Sequence, residues 1–190
     1  KHKNMKRISL LMTLILGVIT FTDTLSQGKV SKNKKAIINS LEAHKDRLIE
    51  ISDNIWEAAE PALLEFKSSK YLSDYAEENG FRVTRSVAEI PTAFVAEFGS
   101  GKPVIGILGE FDANPGISQK KQPTKDPLVK GAAGHGCGHN LYGTGSLGAA
   151  IAIKEMIESG EISGTVRFYG TPAEETIFAK VWMVRAGLFD

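Results

Sequence analysis

The sequence predicts an α/β fold with a mixed, mostly parallel sheet that is flanked by helices. Segments of helical periodicity alternate with short apolar segments along the chain, which is the pattern of such folds. The segment PVIGILG at residues 103–109 is almost entirely apolar and is predicted to be a strand buried on both faces. Polar residues cluster directly after the strands, where ligands gather in open α/β sheets.

The first elements of the pattern are two helices and a strand. Apolar residues recur at helical spacing over Ser31–Glu60, and Pro61 interrupts this amphipathic helix because proline has no backbone N–H to donate. A second helix is predicted over Lys70–Glu78, since Asn79-Gly80 is a common helix end. Residues 81–87 alternate between apolar and polar side chains and are predicted to form a strand.

The later elements alternate strands with helices. The segment Thr92–Asp112 is predicted to hold two strands around a turn at residues 99–102. A polar loop follows over Ala113–Lys130, and loops of this length are often functional. A helix over Leu141–Glu158, a strand over Gly164–Gly170 and a last helical segment complete the pattern.

Composition limits the classes of function. The chain has 190 residues, of which 42% are hydrophobic and 24% are charged, as in ordinary soluble domains. Its formal net charge is +1, and it has no basic run with interleaved aromatic residues. We therefore expect no nucleic-acid partner.

Residues 1–26 are predicted to be upstream residues followed by a secretory signal peptide. Lys6 and Arg7 follow Met5, and the apolar stretch Ile8–Ile19 comes next. This stretch is shorter than the roughly 20 residues that a spanning helix needs. We expect export to the periplasm or the medium and no stable membrane anchor. An uncleaved anchor is the alternative.

The glycine-rich segment GHGCGH holds two candidate metal ligands, Cys137 and His139. Alternating glycines allow tight turns, so these two side chains can face one ion. A structural zinc site usually needs a second pair of cysteines, which the sequence lacks. A glycine-rich turn with an incidental cysteine stays open as the alternative.

Two further polar groups follow strands. In the pair Glu174-Glu175, one carboxylate could bind a metal while the other faces a water molecule, or both could simply cap the next helix. Asp112 follows the apolar strand and could orient a histidine ligand or merely start a turn. If the strands are parallel there, these groups converge on one site.

The segment GTGSLG at residues 143–148 matches a dinucleotide-binding pattern. That fingerprint requires a strand immediately before it, and the preceding residues GHGCGHNLY do not form one. We expect these small residues to allow close helix packing instead.

Three segments in this order, GEFDANPG, GHGCGHNLYGTGSLGAAIAIKE and VRFYGTPAEE, resemble the aminoacylase–carboxypeptidase family of two-metal amidohydrolases. They are most similar to its branch that is typified by the B-type subunit of aminobenzoyl-glutamate hydrolase. The resemblance covers roughly Ser31–Asp190 and implies a zinc-exopeptidase-like catalytic domain. It implies that Cys137, His139 and Glu175 bind metal. Glu174 would be the general base.

The resemblance assigns supporting positions to Asp112 and His135. It implies that they lie beside the ligands without binding the metal themselves. The chain departs from many family members at Asn140, where they have aspartate, and at Asn114, where they have leucine. The second departure could change the loop near the substrate.

The implied reaction is hydrolysis of an amide bond in an N-acyl amino acid, an aminobenzoyl-glutamate-like compound or a small peptide. The implied cofactors are two divalent metal ions, with zinc favoured and manganese or cobalt as alternatives. The family also implies a homodimer or hetero-oligomer for the full-length protein.

Residues 27–190 are predicted to be the N-terminal portion of the catalytic domain. The family takes further histidine ligands from downstream, and no histidine follows His139 here. We therefore expect little activity from the chain alone. The competing hypotheses are a binding protein that keeps the fold with one metal or none, and a thiol hydrolase with Cys137 as nucleophile.

Overall fold

The computed structural model describes residues 30–190, and residues 36–190 form one compact unit. The predicted signal peptide lies outside the described residues. Within them, no helix is both long enough and apolar enough to cross a membrane. The helices are α1 (Lys32–Ala58), α2 (Phe66–Glu78), α3 (His139–Glu158), α4 (Glu174–Ile177) and α5 (Ala179–Arg185). The strands are β1 (Arg82–Arg85), β2 (Phe94–Ser100), β3 (Val104–Glu110) and β4 (Gly164–Thr171).

The two N-terminal helices confirm the periodicity argument. Helix α1 buries Ile51 and Ile55 against the core and ends before Pro61, as predicted. Helix α2 begins four residues earlier than predicted and ends at the predicted place. Gly80 follows it with φ 82°, a left-handed conformation that glycine adopts without steric cost.

The four strands form a mixed sheet in the order β1-β2-β4-β3. The mixed α/β prediction is confirmed, but the prediction that most strands are parallel is wrong for the described residues. Only β3 and β4 pair in parallel, while β1 with β2 and β2 with β4 are antiparallel. A parallel pair needs a crossover of a dozen or more residues, and only residues 86–93 connect β1 to β2.

Strand β3 corrects two further expectations. It does not pair with β2 across their shared turn, because the crossover through α3 places β4 between them. It is also not buried on both faces, since β3 is the last strand of the described sheet and Val104 and Ile105 are 44% and 49% exposed. An apolar run alone does not distinguish a central strand from an edge strand.

Helix α3 packs closely on the sheet because its glycines leave room. A Cβ atom at Gly143 would lie 2.5 Å from the carbonyl oxygen of Glu110, at the end of β3. A Cβ atom at Gly148 would lie 3.0 Å from Leu48 of α1. The predicted packing role of the GTGSLG segment is thus confirmed, and this packing brings the first residue of α3 to the end of β3.

Candidate metal centre

The site forms where β3 and β4 end side by side. Glu110 pairs in register with Thr171, so the residues that follow both strands meet at one edge of the sheet. The backbone N–H of Glu175 donates to Asp112 Oδ2 at 2.9 Å, although 63 positions separate them. The predicted convergence of the polar clusters is confirmed.

His139 is the first residue of α3 and lies buried between the two strand ends. Its Nδ1 donates to Asp112 Oδ1 at 3.0 Å and to the Asp112 carbonyl oxygen at 3.2 Å. Both partners are acceptors, so Nδ1 carries the proton. Nε2 faces Glu110 Oε2 at 3.0 Å and Glu174 Oε2 at 3.9 Å. Asp112 therefore fixes both the ring orientation and the tautomer of His139.

The three predicted ligands lie together. One ligand atom each from Cys137, His139 and Glu175 lie within 4.8 Å of one another. Glu175 Oε1 is buried and has no hydrogen-bond partner among residues 30–190, which costs free energy unless another group satisfies it. Sulfur, imidazole nitrogen and carboxylate oxygen together suit a divalent ion such as zinc. The residues present therefore fit a metal ion.

A second cluster shares the same histidine. Ligand atoms of Glu110, His139 and Glu174 also lie within 4.8 Å of one another. The sequence analysis missed Glu110, which forms an ion pair with Lys180 of α5. Its signal was its position two residues before Asp112, at the end of the same strand.

Asn114 shapes the glycine-rich loop that carries Cys137. Its Oδ1 accepts the backbone N–H groups of Gly136 at 3.1 Å and Cys137 at 3.2 Å. Asn114 also forms an isolated antiparallel bridge with Gly134. A leucine at position 114 could accept neither side-chain hydrogen bond, so the departure noted in the sequence has a structural role here.

Cys137 is exposed and its surroundings are acidic. A hydrogen bond with Glu175 raises the pKa of the thiol, and the negative charges of Glu175 and Glu174 raise it further. A thiol nucleophile needs the opposite effect, namely a neighbouring base or cation that lowers its pKa. The raised pKa therefore argues against a nucleophilic thiol, while the ligand role of Cys137 rests on its place in the cluster with His139 and Glu175.

His135 belongs to neither cluster of candidate ligand atoms among residues 30–190. Its Nε2 donates to the carbonyl oxygen of Ile55 in α1 at 3.0 Å, while its Nδ1 is buried and has no hydrogen-bond partner in the part of the chain that the structure describes. Burial lowers the pKa of His135, which favours the neutral ring. His135 thus connects the loop to α1, and its predicted position beside the ligands stays a prediction.

The buried contact between Asp112 and His139 shifts the pKa values of both side chains. Burial alone would raise the pKa of Asp112, but the hydrogen bonds from His139 and from the Glu175 backbone outweigh it and the pKa is lowered. Burial would likewise lower the pKa of His139, yet its bond to Asp112 and the nearby carboxylates raise it. Asp112 is thus an anion, and its charge makes the His139 ring more basic.

A cavity of about 390 Å³ opens beside the loop. Its walls include Trp56 at the end of α1, Lys121 and the loop residue His135. The Lys121 ammonium lies 4.9 Å from the centre of the Trp56 ring. The loop that carries Cys137 is therefore accessible from an amphipathic cleft.

Comparison with known proteins assigns the family. The model of peptidase family M20/M25/M40 matches residues 106–190. The chain is 49% identical over 157 residues to the B-type subunit of p-aminobenzoyl-glutamate hydrolase from Escherichia coli (strain K12). That alignment covers 81% of this chain and 32% of the relative. The chain belongs to peptidase family M20/M25/M40.

Solved structures agree with this assignment. The Bacillus subtilis YXEP protein, described as a dinuclear metal binding peptidase of the M20 family, superposes with a TM-score of 0.66 at 28% identity, over 78% of this chain and 41% of its own. A putative aminohydrolase from methicillin-resistant Staphylococcus aureus gives a TM-score of 0.68 at 25% identity, over 82% of this chain and 39% of its own. This M20/M25/M40 chain spans about a third of the length of the Escherichia coli relative.

The matched segment contains every site residue predicted from the sequence. Asp112, His135 and the four metal-centre residues of the sequence analysis all lie between residues 106 and 190 of this M20/M25/M40 chain. Glu110, which the structure adds, lies there too. Ile55 of α1, which accepts the hydrogen bond of His135, lies outside the matched segment.

Proposed function

We propose that the protein is a metal-dependent amidohydrolase or metallopeptidase whose metal ions are held by Cys137, His139 and Glu175. The observation that carries the proposal is that a sulfur, a nitrogen and an oxygen atom of these three residues lie within 4.8 Å of one another. In addition, the buried Glu175 Oε1 has no hydrogen-bond partner among residues 30–190. Divalent metal ions supply a water of lowered pKa and polarise the amide carbonyl. The description of the YXEP protein as a dinuclear metal binding peptidase supports the same function.

Glu174 is the proposed general base. It is partly exposed, and its Oε2 lies 3.9 Å from His139 Nε2. It belongs to the second cluster, with Glu110 and His139, and not to the cluster that contains Cys137. A carboxylate in this place can accept a proton from the attacking water and deliver it to the leaving nitrogen. Asp112 holds the His139 ring and the Glu175 backbone in place throughout.

The proposed substrate is an N-acyl amino acid, an aminobenzoyl-glutamate-like compound or a small peptide. The name of the Escherichia coli relative supports the second of these. A cysteine ligand favours zinc over manganese or cobalt. A homodimer or hetero-oligomer is proposed for the full-length protein, since that relative is itself described as a subunit.

Metal content tests the ligand assignment. Purified full-length protein should contain divalent metal by elemental analysis, and Cys137→Ser should lower its metal content and its hydrolysis of aminobenzoyl-glutamate. Ser159→Ala at the end of α3 is the matched control and should change neither. Unchanged metal content in Cys137→Ser would refute Cys137 as a ligand.

Export is proposed from the first residues alone. We propose that residues 1–26 are removed and that the catalytic domain begins near Gln27, in the periplasm or the medium. Mass spectrometry of the mature protein from the periplasmic fraction should find an N-terminus close to Gln27. A protein that retains Met5 and stays in the cytoplasm would contradict this.

A further inference from the structure

We infer that Glu65 is a positioning residue for the metal centre. Its buried carboxyl group fixes the turn at Ala173 and so sets the two carboxylates that follow, Glu174 and Glu175. The inference rests on the proposed function for its catalytic consequence, but the contact itself does not depend on metal.

The surroundings of Glu65 are unusual for an acidic side chain. The residue is fully buried, and no ion pair among residues 30–190 involves it. Its Oε1 accepts the backbone N–H of Ala173 at 2.8 Å, and its Oε2 accepts the hydroxyl of Thr92 at 3.1 Å. A buried carboxyl group without a cation is costly, so its hydrogen bonds must hold it in place. Burial also raises the pKa of Glu65.

The backbone at Ala173 needs this support. Ala173 has φ 57° and ψ 35°, a left-handed conformation that a residue with a Cβ atom rarely adopts. Such a conformation persists where surrounding contacts determine it. Glu65 binds the N–H of Ala173 on one side of the turn, and Asp112 binds the N–H of Glu175 on the other. The turn between these bonds carries Glu174.

The short segment between α1 and α2, residues 59–65, also contacts the chain just after β3. The carbonyl oxygen of Glu60 accepts the N–H of Ala113 at 2.9 Å, directly after Asp112. Glu60 and Glu65 thus connect the segment between α1 and α2 to both strand ends of the site.

Helix α1 supports the site through two further contacts, both at 3.0 Å. His135 Nε2 of the loop donates to the Ile55 carbonyl oxygen, and Asn140 Nδ2 of α3 donates to Ser52 Oγ.

Removing the acceptor should loosen the turn. Without Glu65 the Ala173 N–H is buried and unpaired, so the chain gains by leaving the left-handed conformation and moving Glu174 and Glu175. Loss of a group that orients metal ligands typically weakens metal affinity or activity about 10- to 100-fold. Glutamine can accept from Ala173 and donate to Thr92, so it should replace Glu65 almost fully.

The experiment compares variants of the full-length protein by Zn²⁺ titration calorimetry and by hydrogen exchange at the Ala173 amide. Glu65→Leu should bind Zn²⁺ about 10- to 100-fold more weakly and exchange the Ala173 amide faster, while Glu65→Gln stays within about threefold of the wild type. Thr92→Val keeps the Ala173 bond and serves as the matched control. Adding Ala173→Gly to Glu65→Leu should recover part of the affinity, because glycine adopts this conformation unaided.

Each outcome separates the inference from the proposed function. A folded Glu65→Leu that binds Zn²⁺ as tightly as the wild type, with unchanged exchange at Ala173, would overturn the positioning role and leave the metal site intact. A wild-type full-length protein that binds no Zn²⁺ would refute the ligand assignment, while the exchange rates still test Glu65. If Glu65→Leu does not fold, a wild-type Ala173 amide that exchanges as fast as unprotected amides would overturn the inference by itself.

Discussion

At the scale of single residues, the chemistry of the site follows from how His139 is held. Asp112 is 1% exposed and makes hydrogen bonds to the His139 ring and to the Glu175 backbone. One carboxylate therefore couples a histidine on α3 to a glutamate after β4. The sequence indicated Asp112 as an orienting group, and the structure places it in that contact.

Glu174→Gln tests the separate roles of the adjacent glutamates. Glutamine cannot accept a proton from water, so kcat should fall by about 10²- to 10⁴-fold. Metal content should stay at the wild-type level because Glu174 is the proposed base and Cys137, His139 and Glu175 are the proposed ligands, although Glu174 also lies in the second cluster. Elemental analysis and kinetics on the full-length protein measure both.

Glu158→Gln is the matched control for that variant, since Glu158 lies at the exposed end of α3. It should change neither kcat nor metal content. A Glu174→Gln protein with near-normal kcat would refute the base assignment. One that loses its metal would instead make Glu174 a ligand.

At the scale of elements, the close approach of α3 to β3 positions His139. Gly143→Ala would place a methyl group 2.5 Å from the Glu110 carbonyl oxygen, which the backbone can relieve only by moving α3 outward. Overpacking of this kind typically costs about 1–3 kcal/mol. Urea unfolding should show this loss in the free energy of unfolding, together with weaker Zn²⁺ binding.

Gly145→Ala in the same helix is the matched control. A Cβ atom at Gly145 meets nothing within 4 Å, and alanine is the better helix former. It should raise the free energy of unfolding by up to about 1 kcal/mol. If both glycine variants behave alike, close packing at Gly143 is not what positions the helix.

Glu97 connects three strands of the sheet. It lies on β2 and bonds Arg167 of β4 at 2.6 Å and Arg82 of β1. The hydrogen bond from Arg167 is the main cause that holds the pKa of Glu97 below its usual value, with partial burial opposing it. Glu97→Gln should therefore lower the free energy of unfolding at pH 7 by about 1 kcal/mol.

The lowered pKa of Glu97 determines how its contribution to stability changes with pH. A carboxyl group with a lowered folded pKa stabilises the protein above its unfolded pKa of about 4.3, and that contribution is lost as pH falls through the folded pKa. Urea unfolding from pH 7 to pH 3 should thus show the wild type and Glu97→Gln converging in acid. A difference that stays constant down to pH 3 would contradict a charge effect.

At the scale of the whole molecule, metal binding and stability are linked. A ligand that binds only the folded chain stabilises it by about 2.7 kcal/mol at 100 times its dissociation constant. Zn²⁺ should therefore raise the thermal unfolding midpoint of the wild-type chain. The rise should be smaller in Cys137→Ser, and EDTA should reverse it. Equal shifts in both proteins would place the binding elsewhere.

The sequence predicted much of the site because its signals are local. Cys137 and His139 stand in one glycine-rich segment, and Glu175 follows a recognisable strand. Glu110 was missed because an acidic residue at a strand end looks like an ordinary surface charge until the fold brings it to His139. Glu65 was missed because its partner Ala173 lies 108 positions away and carries no polar side chain.

The sequence by itself determined the helices, the strands and the family motifs, since periodicity, proline and glycine positions and short motifs are properties of neighbouring residues. Only the tertiary structure decided that β4 lies between β2 and β3, that β3 is the edge of the described sheet and that one parallel pair joins the two strand ends. Pairing and burial depend on which distant segments meet. The hydrogen bond from Ala173 to Glu65 exists only once they have met.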